Sequence, residues 1–193
     1  MFEQLFHSIN EKIQITGEDL GEIKQFFVSR KLRKRQFLLQ EGDVCKYTAF
    51  VEKGSLRSYS IDEKGNEHIL QFALEGWWIS DQYSLFTGEP SSYNIDAIED
   101  SDLLLITHAS FESMMNKIPR MEKYFRLLLQ NNMIALHRRL VASLSLSAEE
   151  KYTNMVNAYP NIIQRVPQHM IASYLGITPE TLSRIRKQMS SVK

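Results

Sequence analysis

Residues 167–187 read PQHMIASYLGITPETLSRIRK, and this stretch predicts two short helices joined by a tight turn. Gly176 follows the first helix, because glycine readily adopts the left-handed conformation in which a helix commonly ends. Thr178 can cap the second helix with its hydroxyl, and Pro179 fits that helix's first position. Apolar residues at helical spacing give each helix one apolar face. They are Ile171, Ala172 and Leu175 on the first helix, then Leu182 and Ile185 on the second.

The polar residues of the second helix lie off its apolar stripe, which is typical of a helix-turn-helix whose second helix enters the DNA major groove. The fork of Arg184 can bind guanine O6 and N7 together, and Glu180 can accept from cytosine N4. The alternative is a helical hairpin with a solvated charged face. The predicted DNA-binding residues are Gln168, His169, Thr178, Pro179, Glu180, Thr181, Ser183, Arg184, Arg186 and Lys187.

Charge is segregated along the 193-residue chain, whose formal net charge is zero. Five basic residues and one acidic residue fall within 164–193, whereas the other residues hold 18 basic and 22 acidic groups. Phosphate contact requires such a local excess of positive charge. The five basic residues are Arg165, Arg184, Arg186, Lys187 and Lys193. A second basic run at 30–35 is better interpreted as a solvated strand edge or helix end than as a DNA surface.

Several function classes lack their sequence signals. The only cysteine, Cys45, excludes an internal disulfide and a four-cysteine iron–sulfur or metal site within one chain. His68 and His108 belong to no ligand motif, so we expect no metal and no cofactor. The sequence also has no nucleophile elbow and no phosphate-binding glycine loop, so no motif indicates an enzyme.

No apolar run approaches the ~20 residues of a membrane span, and the N-terminus lacks signal-peptide features. We therefore expect a cytoplasmic protein without a membrane partner.

Residues 1–118 predict two N-terminal helices followed by an antiparallel roll. Phe2 and Ile9 delimit an amphipathic helix, and Thr16 with Asp19 starts a second helix that continues to about Ser29. Short segments with β-branched and aromatic residues then alternate with glycine turns, which is typical of a small barrel or roll. The predicted strands are 37–39, 47–51, 56–61, 68–72, 95–98 and 103–106. Residues 109–116 predict a short helix.

Residues 120–147 contain no glycine or proline and predict one long helix. A 25-residue helix is ~38 Å long, which is more than a small roll can cover. The apolar stripe therefore predicts a homodimer in which a second copy packs along the helix; the alternative is packing wholly within one chain. The predicted dimer residues are Phe125, Leu129, Met133, Leu136 and Leu140.

Ser147 and Glu150 have the spacing of a capping box and mark the start of a new domain. The first helix of that domain ends at Pro160 and Asn161, and residues 162–166 are predicted as a short strand. The chain thus divides into a roll domain (1–118), a dimerisation helix (119–146) and a helix-turn-helix domain (147–193).

This order of elements resembles the Crp/Fnr family of bacterial transcription regulators. The stretches LQEGD (39–43) and FVEKGSLR (50–57) carry the family's turn signals. The resemblance implies an α+β fold: a cyclic-nucleotide-binding, jelly-roll-like sensor roll, a long dimerisation helix and a winged-helix-type DNA-binding domain. It implies double-stranded DNA with a palindromic operator as partner, and RNA polymerase as a further candidate. Pro179 replaces the family's usual basic residue, and too few residues follow Gln188 for a C-terminal wing.

The expected effector pocket departs from the family pattern. Cyclic-nucleotide binders in the family have Gly-Glu after the apolar strand and Arg-Ser about ten residues later, whereas this chain has Ser80-Asp81 and Ser91-Ser92. Without a cation at that position, burying a phosphate has no compensating charge pair. We therefore predict that cyclic AMP is not bound in the usual way. The pocket residues would be Trp78, Ser80, Asp81, Ser91 and Ser92. Trp77, Trp78 and Tyr83 line either an apolar ligand site or the core.

Two functions follow. The first is a homodimeric DNA-binding transcription regulator. The second is a ligand-sensing or interaction module whose helix-turn-helix has no sequence-specific DNA binding.

Overall fold

The computed structural model describes residues 1–191, and Lys193, counted above among the five basic residues of the C-terminal segment, lies outside them. The N-terminal part contains α1 (Glu3–Asn10), α2 (Gly17–Ile23), a 3₁₀ turn (Lys24–Phe26), β1 (Val28–Leu32), β2 (Phe37–Leu39), β3 (Thr48–Lys53), β4 (Leu56–Ile61), β5 (Glu67–Ala73), β6 (Trp78–Ile79), α3 (Gln82–Thr87), β7 (Asn94–Ala97), β8 (Ser101–Ile106) and α4 (His108–Lys117). The C-terminal part contains α5 (Arg120–Ser145), α6 (Ala148–Ala158), α7 (Pro160–Arg165), α8 (Gln168–Leu175) and α9 (Pro179–Ser191).

The predicted antiparallel roll is confirmed. Two four-stranded sheets, ordered β1-β8-β3-β6 and β2-β7-β4-β5, enclose an apolar interior. Tight packing fixes Gly54 between β3 and β4, because a Cβ there would lie 2.3 Å from Ser101 Oγ. The basic run begins on β1, an edge strand, so the interpretation as a strand edge is confirmed for its first residues. The interior is lined by residues such as Leu39, Val51, Leu56, Ile79, Ile95 and Leu103.

The second helix is shorter than predicted. Apolar spacing predicts a helix to about Ser29, but α2 ends at Ile23 and a 3₁₀ turn leads to Phe27, which is extended. Val28 then pairs with Leu105 of β8. Strand pairing therefore overrides the helical periodicity at these residues.

The N-terminal helices anchor the start of α5. The buried carboxylate of Glu52, on β3, accepts the Leu5 N–H at 2.8 Å and so caps the otherwise uncapped α1. Tyr124 of α5 is fully buried, and its hydroxyl bonds Ser8 Oγ at 2.9 Å and accepts the Trp78 indole N–H at 3.2 Å. These contacts attach the first third of α5 to the roll.

The remainder of α5 presents apolar side chains to solvent. The long helix is confirmed as a continuous 26-residue element. Met121 and Tyr124 are buried, but little more than one turn later Leu129 is 61% exposed, and the exposure continues to Leu144 at 80%. The exposed apolar residues are Leu129, Met133, Ile134, Leu136, Leu140, Val141 and Leu144.

One prediction for the C-terminal part is wrong. The sequence predicts a strand at 162–166, but α7 is a helix over Pro160–Arg165. Pro160 occupies its first position, where proline's fixed φ favours a helix. The Val166 N–H donates to Ile162 O at 2.9 Å, and this helical geometry buries Ile162 in the domain's core. The capping box before α6 is confirmed, since Ser147 and Glu150 each bond the other's backbone N–H.

Candidate nucleic-acid interface

Helices α8 and α9 form the predicted helix-turn-helix. Gly176 has φ 66°, the left-handed conformation inferred from its position. The Ile177 N–H donates to Ala172 O at 3.0 Å, which fixes the turn between the helices. Ile171 and Ala172 of α8 and Leu182 and Ile185 of α9 are buried together in one core. The apolar stripes therefore orient α9 so that its opposite face points away from the domain.

Thr178 caps α9 as predicted. Its hydroxyl accepts the Thr181 N–H at 3.2 Å and bonds the Thr181 hydroxyl at 3.2 Å. At this helix start, a hydrogen bond from its own backbone N–H and one from Thr178 lower the pKa of Glu180. Glu180 is thus held as an acceptor at the exposed N-terminus of the helix.

The predicted DNA-binding residues lie on one helix-turn-helix unit, and most are exposed. Gln168 and Thr181 are half-buried, and the Gln168 Oε1 atom is buried with no hydrogen-bond partner among the described residues. Their contacts with DNA remain a prediction. The exposed members are His169, Thr178, Pro179, Glu180, Ser183, Arg184, Arg186 and Lys187.

Arg165 does not join this exposed surface, although it contributes to the basic excess of the C-terminal segment. Its guanidinium donates to Glu75 Oε2 at 2.7 Å and to Glu99 Oε1 through Nε at 3.1 Å. The bonds to Glu75 raise the pKa of Arg165 further, so it remains charged. The charge count of the sequence places Arg165 among the cations that would contact DNA. In the structure, Arg165 instead joins the helix-turn-helix domain to the roll.

The edge of strand β5 provides the second attachment of the helix-turn-helix domain. Ser173 Oγ of α8 donates to Glu67 O at 2.7 Å and accepts the Ile69 N–H at 3.0 Å. Arg139 of α5 donates to Ile69 O at 3.1 Å and to Leu70 O, and its guanidinium lies 4.1 Å from the centre of the Tyr174 ring. The backbone groups along this sheet edge are therefore bonded by helix side chains.

Apolar packing continues across the same contact. Phe72 of β5 packs against Tyr174 of α8 at 5.2 Å between ring centres, and Trp77 packs edge-on against Tyr159 at 5.5 Å. Buried residues of β4, β5, α6, α8 and α9 form one core cluster. The position of the helix-turn-helix is thus fixed by packing against the outer face of the roll.

The predicted effector pocket contains polar groups that are already bonded to each other. Asp81 Oδ1 accepts the Ser84 N–H at 3.1 Å and caps α3, and Ser91 Oγ donates to Asp81 Oδ2 at 2.6 Å. Both Asp81 and Ser91 are buried. The carbonyl of Ser80 accepts the Tyr93 hydroxyl at 3.3 Å, and Ser92 is exposed. The structure therefore brings Asp81 and Ser91 together and leaves Ser92 outside.

Trp78 packs into the helical core instead of beside Asp81. Its ring lies 5.1 Å from that of Phe50 and 5.2 Å from that of Phe125, centre to centre. Tyr83 is 61% exposed and donates its hydroxyl to Glu89 at 2.7 Å.

A buried ion cluster on the sheet was not predicted. Arg57, 7% exposed, donates through Nε to Asp96 Oδ1 at 2.8 Å, and also bonds the carboxylate of Glu67. An arginine within a mostly buried strand is a sequence signal for such a cluster, because buried charges require partners.

Membrane spans and metal clusters are both absent from residues 1–191. Within them, no helix is long and apolar enough to cross a membrane. The same part of the chain contains no cluster of three or more histidine, cysteine, aspartate or glutamate side chains with metal-binding geometry.

A roll of the cyclic-nucleotide-binding type, a long helix and a helix-turn-helix define the class of two-domain transcription regulators. Residues 29–118 match the family model described as a cyclic nucleotide-binding domain. The chain is 25% identical over 183 residues to the fumarate and nitrate reduction regulatory protein of Vibrio cholerae, covering 89% of this chain and 72% of that protein. It is also 25% identical to the regulatory protein HlyX of Actinobacillus pleuropneumoniae, covering 89% of this chain and 75% of HlyX.

Solved structures share the fold. FixK2 from Bradyrhizobium japonicum superposes with a TM-score of 0.73 at 20% identity, covering 86% of this chain and 85% of FixK2. The c-di-GMP responsive global regulator CLP of Xanthomonas campestris gives a TM-score of 0.73 at 14% identity, covering 91% of this chain and 92% of CLP. The resemblance to the Crp/Fnr family is therefore confirmed, and the curated relatives above are regulatory proteins.

Proposed function

We propose that this protein is a transcription regulator that binds a palindromic operator as a homodimer and reads base edges with α9. The observation that carries the proposal is the division of α9 into two faces. Leu182 and Ile185 are buried against α8 and α6, whereas Glu180, Ser183 and Arg184 are exposed on the other side. These exposed side chains are dispensable for the domain's core and are of types that bind bases or phosphates.

Each predicted residue has a role in this proposal. Arg184 would pair with guanine, and Glu180 would accept from cytosine. Thr181 and Pro179 would border the same bases. Phosphate contacts position a protein on the duplex and carry most of the salt-dependent affinity. The proposed phosphate contacts are Gln168, His169, Thr178, Ser183, Arg186 and Lys187.

The partner of the exposed apolar face of α5 would be a second copy of the chain. Two α5 helices packed side by side would cover Leu129, Met133, Leu136 and Leu140 and place two α9 helices about 34 Å apart, as successive major grooves require. Phe125 is half-buried at the start of this face. Sedimentation equilibrium should give a dimer, and Leu136→Asp with Leu140→Asp should give a folded monomer.

The roll is proposed not to bind cyclic AMP. The position expected for a phosphate-binding cation holds Ser91, whose hydroxyl is donated to the Asp81 carboxylate. A cyclic phosphate brought here would meet a buried negative charge without a compensating cation. Isothermal titration with cyclic AMP should therefore show no micromolar binding. The proposal includes neither catalysis nor a resident cofactor; it places the protein in the cytoplasm, with RNA polymerase as a candidate partner.

The deciding experiment is selection of bound sequences from random double-stranded DNA. Enrichment of a palindrome with half-sites about one helical turn apart supports the proposal. If no sequence is enriched, with or without an added metabolite extract, the protein is the alternative, a sensing or interaction module that does not read DNA.

A further inference from the structure

A cleft lies between the roll and the helix-turn-helix domain, on a surface that the function proposed above does not use. Its volume is about 280 Å³, close to the lower end of the range for small-molecule sites. The roll lines it with Leu74, Glu75 and Trp77, from the end of β5 and the turn that leads to β6. We call this space the domain cleft. Its other wall is the junction of α6 and α7, with Ala158, Tyr159, Pro160 and Asn161.

The wall that the roll contributes is held in place by backbone bonds. The Trp77 N–H donates to Leu74 O at 3.1 Å, and the Trp77 carbonyl accepts the Val51 N–H at 3.0 Å. The Gly76 N–H donates to Val51 O at 2.9 Å. The half-buried Trp77 side chain packs against two of the core clusters. The indole is therefore positioned before any ligand arrives, which lowers the entropy cost of binding.

The opposite wall is equally well anchored. Tyr159 stands between two helices: its N–H donates to Met155 O of α6 at 2.8 Å, and its carbonyl accepts the Ile162 N–H of α7 at 3.1 Å. Its ring lies 5.5 Å from the Trp77 ring, centre to centre, with 75° between the ring planes. Two nearly perpendicular aromatic rings, one from each domain, thus form a rigid corner of the domain cleft.

The charge at the domain cleft is negative. The Glu75 carboxylate accepts the Gly54 N–H at 2.8 Å and a guanidinium N–H of Arg165 at 2.7 Å. Partial burial raises the pKa of Glu75, but these bonds lower it by more, so the carboxylate stays ionised. Arg165 also bonds Glu99. Within this bonded group two carboxylates share one guanidinium, which leaves one negative charge uncompensated.

These features favour one class of ligand. An anion would meet the excess negative charge, and a neutral apolar molecule would desolvate the carboxylate without replacing its water. A cation is attracted both by the faces of aromatic rings and by the carboxylate, and quaternary ammonium groups are recognised in this way. Their methyl groups need no hydrogen bond and can contact the apolar side chains of Leu74, Ala158 and Pro160.

We propose that the domain cleft binds a small quaternary ammonium ion, with Trp77 and Tyr159 as its aromatic walls and Glu75 as its counter-charge. Such a ligand would contact the roll and the helix-turn-helix domain at once. It would therefore bind best to the arrangement of the two domains described here and would stabilise that arrangement.

The test is isothermal titration of the full chain with choline and with its neutral isostere, in which a carbon atom replaces the charged nitrogen. The two probes have the same shape and differ in charge. Tyr159→Leu removes one aromatic wall, and Tyr159→Phe restores the ring. Tyr83→Leu removes an exposed tyrosine of α3 that does not line the cleft, and is the matched control.

The expected result is saturable binding of one choline per chain, with the isostere bound about tenfold more weakly. Tyr159→Leu should weaken choline binding about tenfold, whereas Tyr159→Phe and Tyr83→Leu should stay within about twofold of the wild type. Glu75→Gln should also weaken it, with Glu63→Gln, an exposed carboxylate of the β4–β5 turn, as control. Choline should raise the melting temperature of the wild type, because it binds the folded state alone.

Three results would overturn the inference: no saturable binding by the wild type at about 10 mM choline, equal affinity for choline and the isostere, or unchanged choline affinity in Tyr159→Leu. If Tyr159→Leu does not fold, the comparison of the two probes on the wild type still decides. No DNA enters these measurements, so their failure leaves the proposed function standing.

Discussion

The roll and α9 differ in what their polar side chains bind. In the roll, Asp81 binds Ser91 and caps α3, and Arg57 is buried between Asp96 and Glu67. On α9, Ser183 and Arg184 are exposed on the face opposite the buried stripe. These polar groups of the roll are therefore part of its folded structure, whereas the side chains of Ser183 and Arg184 are exposed to a partner. Substitution should change stability in the first region and binding in the second.

The largest expected effect is at Arg57. Its replacement by methionine leaves Asp96 buried without its cation, and breaking a buried ion pair costs about 3–5 kcal/mol of unfolding free energy. Chemical denaturation measures the effect. Lys31→Met, on an exposed strand position, is the control and should stay within about 0.5 kcal/mol. A destabilisation below about 1 kcal/mol for Arg57→Met would mean that the roll's charges are as dispensable for folding as those of α9.

Arg184→Ala should weaken DNA binding without changing stability. The binding free energy of this variant for the selected operator should fall by about 1–3 kcal/mol, with relaxed preference at one base pair. Its unfolding free energy should stay within about 0.5 kcal/mol of the wild type, because the side chain is exposed. An equal weakening on every DNA sequence would make Arg184 a phosphate contact, and a large decrease in stability would contradict the distinction between the two regions.

Asp81→Ala tests whether a polar group of the roll affects stability but not DNA binding. The substitution removes the cap of α3 and the acceptor of the Ser91 hydroxyl, and removing such a cap costs about 1–2 kcal/mol. Thermal and chemical unfolding measure the effect, with the exposed Glu63→Ala as control. Operator affinity at a temperature where both variants are folded should be unchanged; a selective decrease in affinity would instead assign Asp81 to signalling.

The smallest expected effect is at Glu75, whose bonds with Arg165 join the roll to the helix-turn-helix domain. Partial burial raises its pKa, but the bonds from Arg165 and from the Gly54 N–H outweigh burial and lower it below the usual 4.5. The stabilisation from the ionised form is complete above the unfolded-state pKa and is lost as the pH falls through the lower folded-state value. Unfolding free energies across roughly pH 3 to 6 should show this acid-side decrease in the wild type. Glu75→Gln should lose less unfolding free energy than the wild type as the pH falls. If the two proteins have the same pH profile, Glu75 is not the source of the acid-side decrease.

Local signals predict most of the fold. Gly176 marks the turn between α8 and α9, the Ser147–Glu150 spacing marks the start of α6, and unbroken periodicity marks α5. Short segments with ambiguous periodicity are not predicted correctly. Residues 162–166 fit a strand or a helix, and only the packing of Ile162 in the domain core decides between them.

The roles of charged residues depend on tertiary partners. By sequence position Arg165 counts as a DNA-facing cation, but the fold places it beside Glu75 and Glu99. The run at 30–35 is interpreted from sequence as a solvated edge; the fold places its first residues on the edge strand β1 and bonds the Lys34 N–H to Asp100, in the loop after β7. Sequence position shows that a charge exists, but the chain's path in space determines what it faces.

The side chains of Ser173 and Arg139 along β5 limit how the DNA-binding head can move. An uncovered sheet edge presents unpaired backbone groups that recruit strands from other chains. A large rotation of the helix-turn-helix domain away from the roll would expose the backbone groups of Glu67 and Ile69 that Ser173 now bonds. Regulation through such a swing would therefore carry a risk of self-association and aggregation, whereas small adjustments that keep the edge covered would not.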